Sequence, residues 1–222
     1  MSVTAPKTFV RNLPPRPPRG RYTVSDWMQF EESKDRKHQL RNGEFVEMAG
    51  ASFEHNQICH QVERTLGNQL EELGAECFVL GSDQKIYIDD RNGLYPDVVV
   101  VWGEPRIAPA EALQNPVLIV EVLSPSTAAD DRGEKFEKYR TLETLTHYIL
   151  VEQSRPSVEH FQKGQNGIWS LVAEHHDLSE TLTIPLAETT ISLPLATIYR
   201  RIAFPILEPD TAAPEPSVNP PD

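Results

Sequence analysis

The chain has 222 residues, 39% hydrophobic and 24% charged, an ordinary globular make-up that excludes wholesale disorder, collagen-like fibre and coiled-coil arrays and leaves room for one sizeable domain. Twenty-one basic against 33 acidic residues give a net charge of −12, the reverse of the basic footprint usual in tight nucleic-acid binders. The longest purely apolar run is five residues, 98–102, far short of the ~20 needed to cross a bilayer, and the first twenty residues hold no apolar stretch of the secretory type, so no membrane partner and a cytoplasmic location are expected.

Residues 1–21 carry Lys7, Arg11, Arg16, Arg19 and Arg21 with no acid, leaving −17 on the remainder. Eleven of the 19 prolines fall in residues 1–20 and 203–222, too poor in apolar surface to offset ordering entropy. The expected organisation is therefore a flexible Pro/Arg-rich arm (1–21), one folded domain (22–202) and a flexible Pro-rich tail (203–222). Within the domain, Ser25 heads a short capped helix containing Trp27 and Phe30. Asn42-Gly43 between Gln39-Leu40 and Phe45-Val46 is a two-residue hairpin signal. Ile58, Val62, Leu66, Leu70 and Leu73 recur at helical spacing before Gly74, which predicts a long amphipathic helix over residues 53–73.

The period then changes to strands at 78–80, 85–88, 97–102 and 117–123, the last two reading as central strands covered on both faces. A helix over 131–142, a strand at 147–151 and shorter edge strands at 158–161 and 169–172 follow. The fold class expected is α/β (α+β): a core in αβββαβ order, its central mixed sheet flanked by helices with extra antiparallel edge strands.

Two acids interrupt these core strands. Asp97 opens Pro-Asp-Val-Val-Val-Val, and Glu121 lies inside Leu-Ile-Val-Glu-Val-Leu. A carboxylate taken out of water neutralises or finds a cation, and two meeting on adjacent strands attract a divalent metal; either acid alone reads more readily as a salt-bridge partner or a loop cap. The polar segment after Glu121 leads into the next helix and returns Lys135 towards it. On spacing alone, Lys135 with Lys138 and Arg140 reads as a solvated helix face. Cys59 and Cys77, 18 apart with no CxxC, read as small thiols rather than a disulfide or structural zinc site. Cys59 follows His55 by one turn and shares its helix face, without a cysteine-protease signature. His175-His176 reads as surface.

Pro96-Asp97, Glu121-Val122-Leu123-Ser124-Pro125-Ser126 and Asp131-Arg132-Gly133-Glu134-Lys135, with Asn42-Gly43-Glu44, Met48-Ala49-Gly50 and His55-Asn56 upstream, together resemble the Uma-type restriction endonucleases abundant in cyanobacteria, within the PD-(D/E)XK nuclease superfamily. The resemblance covers residues 22–202. It implies a restriction endonuclease-like fold and a Mg²⁺ (or Mn²⁺) site with Asp97 and Glu121 as ligands and the Val122 carbonyl as a third. The usual motif places lysine two residues after the second acid, where this chain has Leu123, so the resemblance assigns the catalytic lysine to Lys135, with Lys138 beside it and Lys85 as a fallback. Glu44 and His55 match positions characteristic of the family and are expected to line the cleft. Gln39 stands where family members often have Glu.

The function expected is a metal-dependent endonuclease hydrolysing DNA phosphodiesters. Two alternatives stay open: an inactive nuclease-fold binding or assembly protein, favoured by the net charge and the displaced lysine, and a hydrolase of RNA or a small phosphoester. A homodimer is plausible, because an open sheet edge and a two-stranded substrate both invite two-fold symmetry.

Overall fold

The computed structural model describes residues 21–204 apart from 33, 109 and 110. The arm and tail expected at the two ends therefore lie outside the described residues, except for Arg21, Ala203 and Phe204. The first helix, α1 (Val24–Glu31), is capped by Thr23 and not by Ser25. The Asp26 N–H donates to Thr23 Oγ1 at 3.3 Å while the Asp26 carboxylate accepts from the Thr23 N–H at 2.8 Å, a reciprocal cap that satisfies two helix-end donors. The hairpin β1 (His38–Arg41) and β2 (Glu44–Glu47) turns where the sequence predicts, with φ of 50° at Asn42 and 77° at Gly43, the left-handed pair that matches strand twist. Then α2 (Phe53–Glu72) runs from its Ser52 cap to Leu73, and Gly74 follows with φ 63°.

The strands and helices after α2 are β3 (Cys77–Gly81), β4 (Ile86–Asp89), β5 (Asn92–Leu94), β6 (Val98–Trp102), β7 (Ile107–Ala108), β8 (Ala112–Leu113), β9 (Pro116–Leu123), α3 (Ala128–Arg132), α4 (Glu134–Tyr139), β10 (His147–Glu152), β11 (Val158–Lys163), β12 (Trp169–His175), β13 (Thr181–Leu186), β14 (Thr189–Pro194) and α5 (Leu195–Ile198). The central sheet has the order β12-β11-β10-β9-β6-β3; only β9 and β10 pair in parallel, so the sheet is mixed. Counting α2, β3, β6, β9, the α3–α4 pair and β10 gives the αβββαβ core that the sequence implies.

Two expectations need correction. The strand at 85–88 does not join that core: as β4 it belongs to a second sheet, β2-β1-β5-β4-β8-β7. The helix expected over 131–142 is two short helices broken at Gly133, whose φ −109° and ψ −107° are incompatible with a continuous helix.

Each face of the central sheet has its own cover. Ile58, Val62, Leu66 and Leu70 of α2 pack on Val98, Val100, Val120 and Val122, joined by the β13–β14 hairpin. Val99, Val101, Ile119 and Leu123 point the other way, against Phe136 and Tyr139 of α4 and Ile86, Leu94 and Leu113 of the second sheet. Val98 to Val101 are accordingly all fully buried, which explains why β6 is apolar without alternation. Phe204 still stacks edge-on against Tyr199, so packing extends two residues beyond the boundary expected at 202.

Candidate active site

The apolar strands end in polar groups at one place. Val98 pairs with Val120 across β6 and β9, so Asp97, the residue before β6, comes level with Glu121. Asp97 turns its carboxylate into the strand end: Oδ2 accepts the Val122 N–H at 2.7 Å and Oδ1 lies 3.1 Å from His55 Nε2 in the first turn of α2. A strand residue's N–H and C=O leave on the same side, which directs the Val122 carbonyl towards Asp97 as well. Glu121 shares its face with Ile119 and Leu123 and points to α4, where its Oε2 meets Lys135 Nζ at 2.7 Å.

Local sequence explains how Lys135 gets there. Ser124 and Thr127 close the turn after β9, with the Ser124 N–H donating to Thr127 Oγ1 at 3.3 Å, and α3 starts from it. Gly133 then bends the chain into α4, and Lys135 reaches back one turn to Asp131 at 3.1 Å as well as to Glu121. Its side chain is 7% exposed, against 2% for Glu121 and 3% for Asp131. The solvated-face reading of Lys135 is therefore wrong: Arg140 is exposed and the Lys138 side chain is 13% exposed against Glu134 and Asn42, whereas Lys135 turns inward onto Glu121.

Three carboxylates, Asp97, Glu121 and Asp131, thus face one ammonium. Burial, reinforced by Asp97 and Asp131 and opposed by Lys135, raises Glu121 well above the ordinary glutamate value. Burial alone would lower Lys135, but Glu121, Asp131 and Asp97 hold it above the usual lysine range, so it is a cation at any working pH. For Asp97, burial works upward and is outweighed by the His55 hydrogen bond and charge, by Lys135 and by the Val122 N–H, leaving it below the ordinary aspartate value. His55 is in turn raised, because Asp97 outweighs the effect of burial.

Glu121 Oε1 and the hydroxyl of Tyr139, one turn beyond Lys135, are both buried and reach no partner at hydrogen-bond geometry, although burial, with the Glu121 side chain acting on the Tyr139 hydroxyl, raises that hydroxyl well above the ordinary tyrosine value. An oxygen without a hydrogen bond on a buried acid, in a cluster where carboxylates outnumber ammonium groups, is what a hard divalent cation relieves. Asp97, Glu121 and the Val122 carbonyl are oxygen donors, the type such an ion takes.

Other residues singled out by sequence fall elsewhere. Glu44 is exposed at the start of β2 and, among the described residues, no hydrogen bond or ion pair joins it to the cleft. The hairpin does reach the site's helices, but through its neighbours: Arg41 clasps Asp130 at 2.6 and 2.7 Å, with buried Gln39 accepting from Arg41 Nε at 2.8 Å, and Asn42 bridges Glu134 at 3.0 Å and Lys138 at 2.8 Å. Lys138 is thereby occupied outside the cleft. Lys85 lies over the Trp27 ring, 6.0 Å from its centre, beside the second sheet. His176 is exposed beside Glu174 and His175 half-buried against Glu180, away from any acid of the cleft. The sequence reading missed Asp131 and Tyr139. Their i−4 and i+4 spacing from Lys135 was the available signal.

Comparison with known proteins places this geometry. The solved structure of a protein from Anabaena variabilis, described as a "putative nuclease belonging to DUF820", superposes with a TM-score of 0.62 over 81% of this chain and 98% of that one, at 11% identity, which shows a shared fold. Two uncharacterized Synechocystis proteins are related in sequence. One, sll1609, is 37% identical over 67% of this chain and 85% of its own length; the other, slr1290, is 31% identical over 86% and 97%. The Uma2 family profile, described as "Putative restriction endonuclease", matches residues 24–196, a span that takes in both acids, Lys135 and His55. The chain belongs to that family.

Proposed function

We propose that this chain is a divalent-cation-dependent endonuclease that hydrolyses DNA phosphodiester bonds. The observation that carries the reading is Glu121: a fully buried acid with one oxygen on Lys135 and the other unpaired, level with a second acid that is ionised. Asp97, Glu121 and the Val122 carbonyl would hold Mg²⁺ or Mn²⁺, which when bound polarises a phosphate oxygen and acidifies water. Lys135, kept cationic by its carboxylates, cannot serve as a general base; it donates hydrogen bonds to the attacking water or a phosphate oxygen and offsets charge on the scissile group. His55 holds the Asp97 carboxylate in place through Oδ1. The leaving oxygen takes its proton from solvent.

The −12 charge opposes a long-lived complex with a polyanion, so the basic arm of residues 1–21 is assigned the role of tracking the backbone. Its deletion is expected to weaken DNA binding and flatten the salt dependence. Two-strand cleavage by a homodimer in the cytoplasm completes the proposal, with light scattering of the purified protein as the check on assembly.

The test is nicking of supercoiled plasmid with Mg²⁺ or Mn²⁺, run beside an RNA and a small phosphodiester. Glu121→Gln and Lys135→Met are each expected to lower the rate by about 10²-fold or more. A second reading, a nuclease-fold protein that binds without cutting, draws on the counter-groups already in place, His55 for Asp97 and Lys135 for Glu121. Cleavage by wild type excludes it. Absence of cleavage with either ion, together with an ion affinity unchanged in Asp97→Ala, overturns the endonuclease.

A further inference from the structure

The face of α2 that carries His55 presents a second donor to Asp97. Cys59 stands one turn on, and the donor atoms of His55, Cys59 and Asp97 all lie within 4.8 Å of one another. Ligands of a tetrahedral zinc ion stand roughly 3.3–3.8 Å apart, given bonds near 2.0–2.3 Å, so small side-chain movements close this set around an ion. His55 Nε2 and Asp97 Oδ1 stand at 3.1 Å, a hydrogen-bond distance slightly shorter than that spacing, so they need only part a little to admit an ion. All three residues are partly buried, with the His55 and Asp97 side chains 14% and 15% exposed, so the set is not sealed from solvent.

The donor chemistry is not that of Mg²⁺, which takes oxygens and dehydrates reluctantly. An imidazole, a sulfur and a carboxylate form the mixed set that selects Zn²⁺, Co²⁺ or Cd²⁺. Local charge favours a cation as well. Three carboxylates, Asp97, Glu121 and Asp131, stand around the one ammonium, Lys135, that acts on His55 and Asp97, and the Cys59 thiol is pushed up chiefly by burial, with Asp97 and Glu121 adding to it. That same shift rules out Cys59 as a thiolate nucleophile in the free protein.

We propose that His55, Cys59 and Asp97 form a site for a thiophilic divalent cation of the zinc class, distinct in chemistry from the hard-ion site and sharing Asp97 with it. Loading replaces the Cys59 S–H bond by an S–metal bond and releases one proton to solvent, with no change in oxidation state. Binding of zinc does not depend on the endonuclease reading. Its consequence does: with Asp97 drawn to the soft ion, Mg²⁺ loses a ligand and cleavage stops.

The experiment is titration of the full-length protein with Co²⁺ in place of Zn²⁺, following the near-ultraviolet thiolate-to-cobalt absorption. One equivalent is expected to develop the band and Zn²⁺ to abolish it. Cys59→Ser is expected to lose it and Cys77→Ser to keep it, and His55→Ala is expected to weaken Co²⁺ binding by roughly ten- to a hundred-fold or more. No band in wild type, or a band that survives Cys59→Ser, overturns the proposal. Should Cys59→Ser fold poorly, wild-type protein supplies the answer: Zn²⁺ should slow alkylation of Cys59 and leave Cys77 unaffected, and equal rates with and without zinc overturn the site. A cobalt–thiolate band in protein that, freed of zinc, cuts no DNA with Mg²⁺ or Mn²⁺ and keeps its Mg²⁺ affinity in Asp97→Ala supports the zinc site while removing the endonuclease. DNA cleavage by protein that gives no such band does the reverse.

Discussion

One sheet buries two polar clusters, one on each face, and they differ in kind. On the face under α4, Glu121 and Asp131 both meet the Lys135 ammonium, and Glu121 Oε1 reaches no partner at hydrogen-bond geometry. On the opposite face, under the β13–β14 hairpin, His147 Nδ1 and His160 Nε2 bond at 2.9 Å, both rings buried. Burial lowers both histidines to about 4, with a further push on His160 from its neighbours His147 and His175, so the pair is neutral and satisfied near pH 7. Depth alone does not separate a site from a structural pair. Uncompensated charge and an unpaired atom do.

Breaking each cluster should measure that difference. The largest effect is expected from Lys135→Met, which strands Glu121 beside two other carboxylates and should cost roughly 3–5 kcal/mol in guanidinium unfolding; adding Glu121→Gln should recover part of it. Replacing His147 and His160 together by leucine removes both partners of a neutral bond and should cost far less at pH 7. Equal costs would dissolve the distinction.

The next effect is on pH dependence. The unfolded chain protonates histidine near 6.5, whereas folded His147 and His160 hold out to about 4, so the unfolded state binds more protons across that window. Stability should fall as pH drops from about 6.5 to about 4, and the double leucine variant should lose that slope. His55 has the opposite sign. Its raised value gives stability that is complete below about 6.5 and is lost as pH rises through the folded value, and His55→Gln should remove that loss. Denaturant midpoints measured from pH 4 to 8 separate the two.

The smallest effect is expected at Tyr139. Its hydroxyl lies beside Glu121 without reaching hydrogen-bond geometry, so Tyr139→Phe should change stability by less than about 1 kcal/mol. A larger loss in thermal or denaturant unfolding would mean that the hydroxyl and Glu121 Oε1 support one another and that the cluster is closer to satisfied than its geometry indicates.

Much of the architecture was legible because its signals are local. The 3.6-residue spacing of Ile58 to Leu70, the Asn42-Gly43 turn and the unbroken valines of β6 each specify their own element. What failed was long-range or masked. Nothing in residues 85–88 says which sheet their strand will join, because that depends on β5 and β8. Gly133 reads as a tolerated helix glycine until the break is seen. Asp97 and Glu121 stood out as acids in apolar strands, whereas Lys135 was hidden among charged neighbours that do remain outside the cluster. The approach of Cys59 to Asp97 depends on how α2 lies across the sheet, which no spacing within the helix encodes.

The turn at Asn42 has one more consequence. Its side chain fastens Glu134 and Lys138, 92 and 96 residues further along, while Arg41 holds Asp130. The helix that presents Lys135 is thus clamped by the amino-terminal hairpin. Protein trimmed to begin after that hairpin would retain both strand acids yet let the lysine drift, so the smallest competent fragment must start ahead of Gln39.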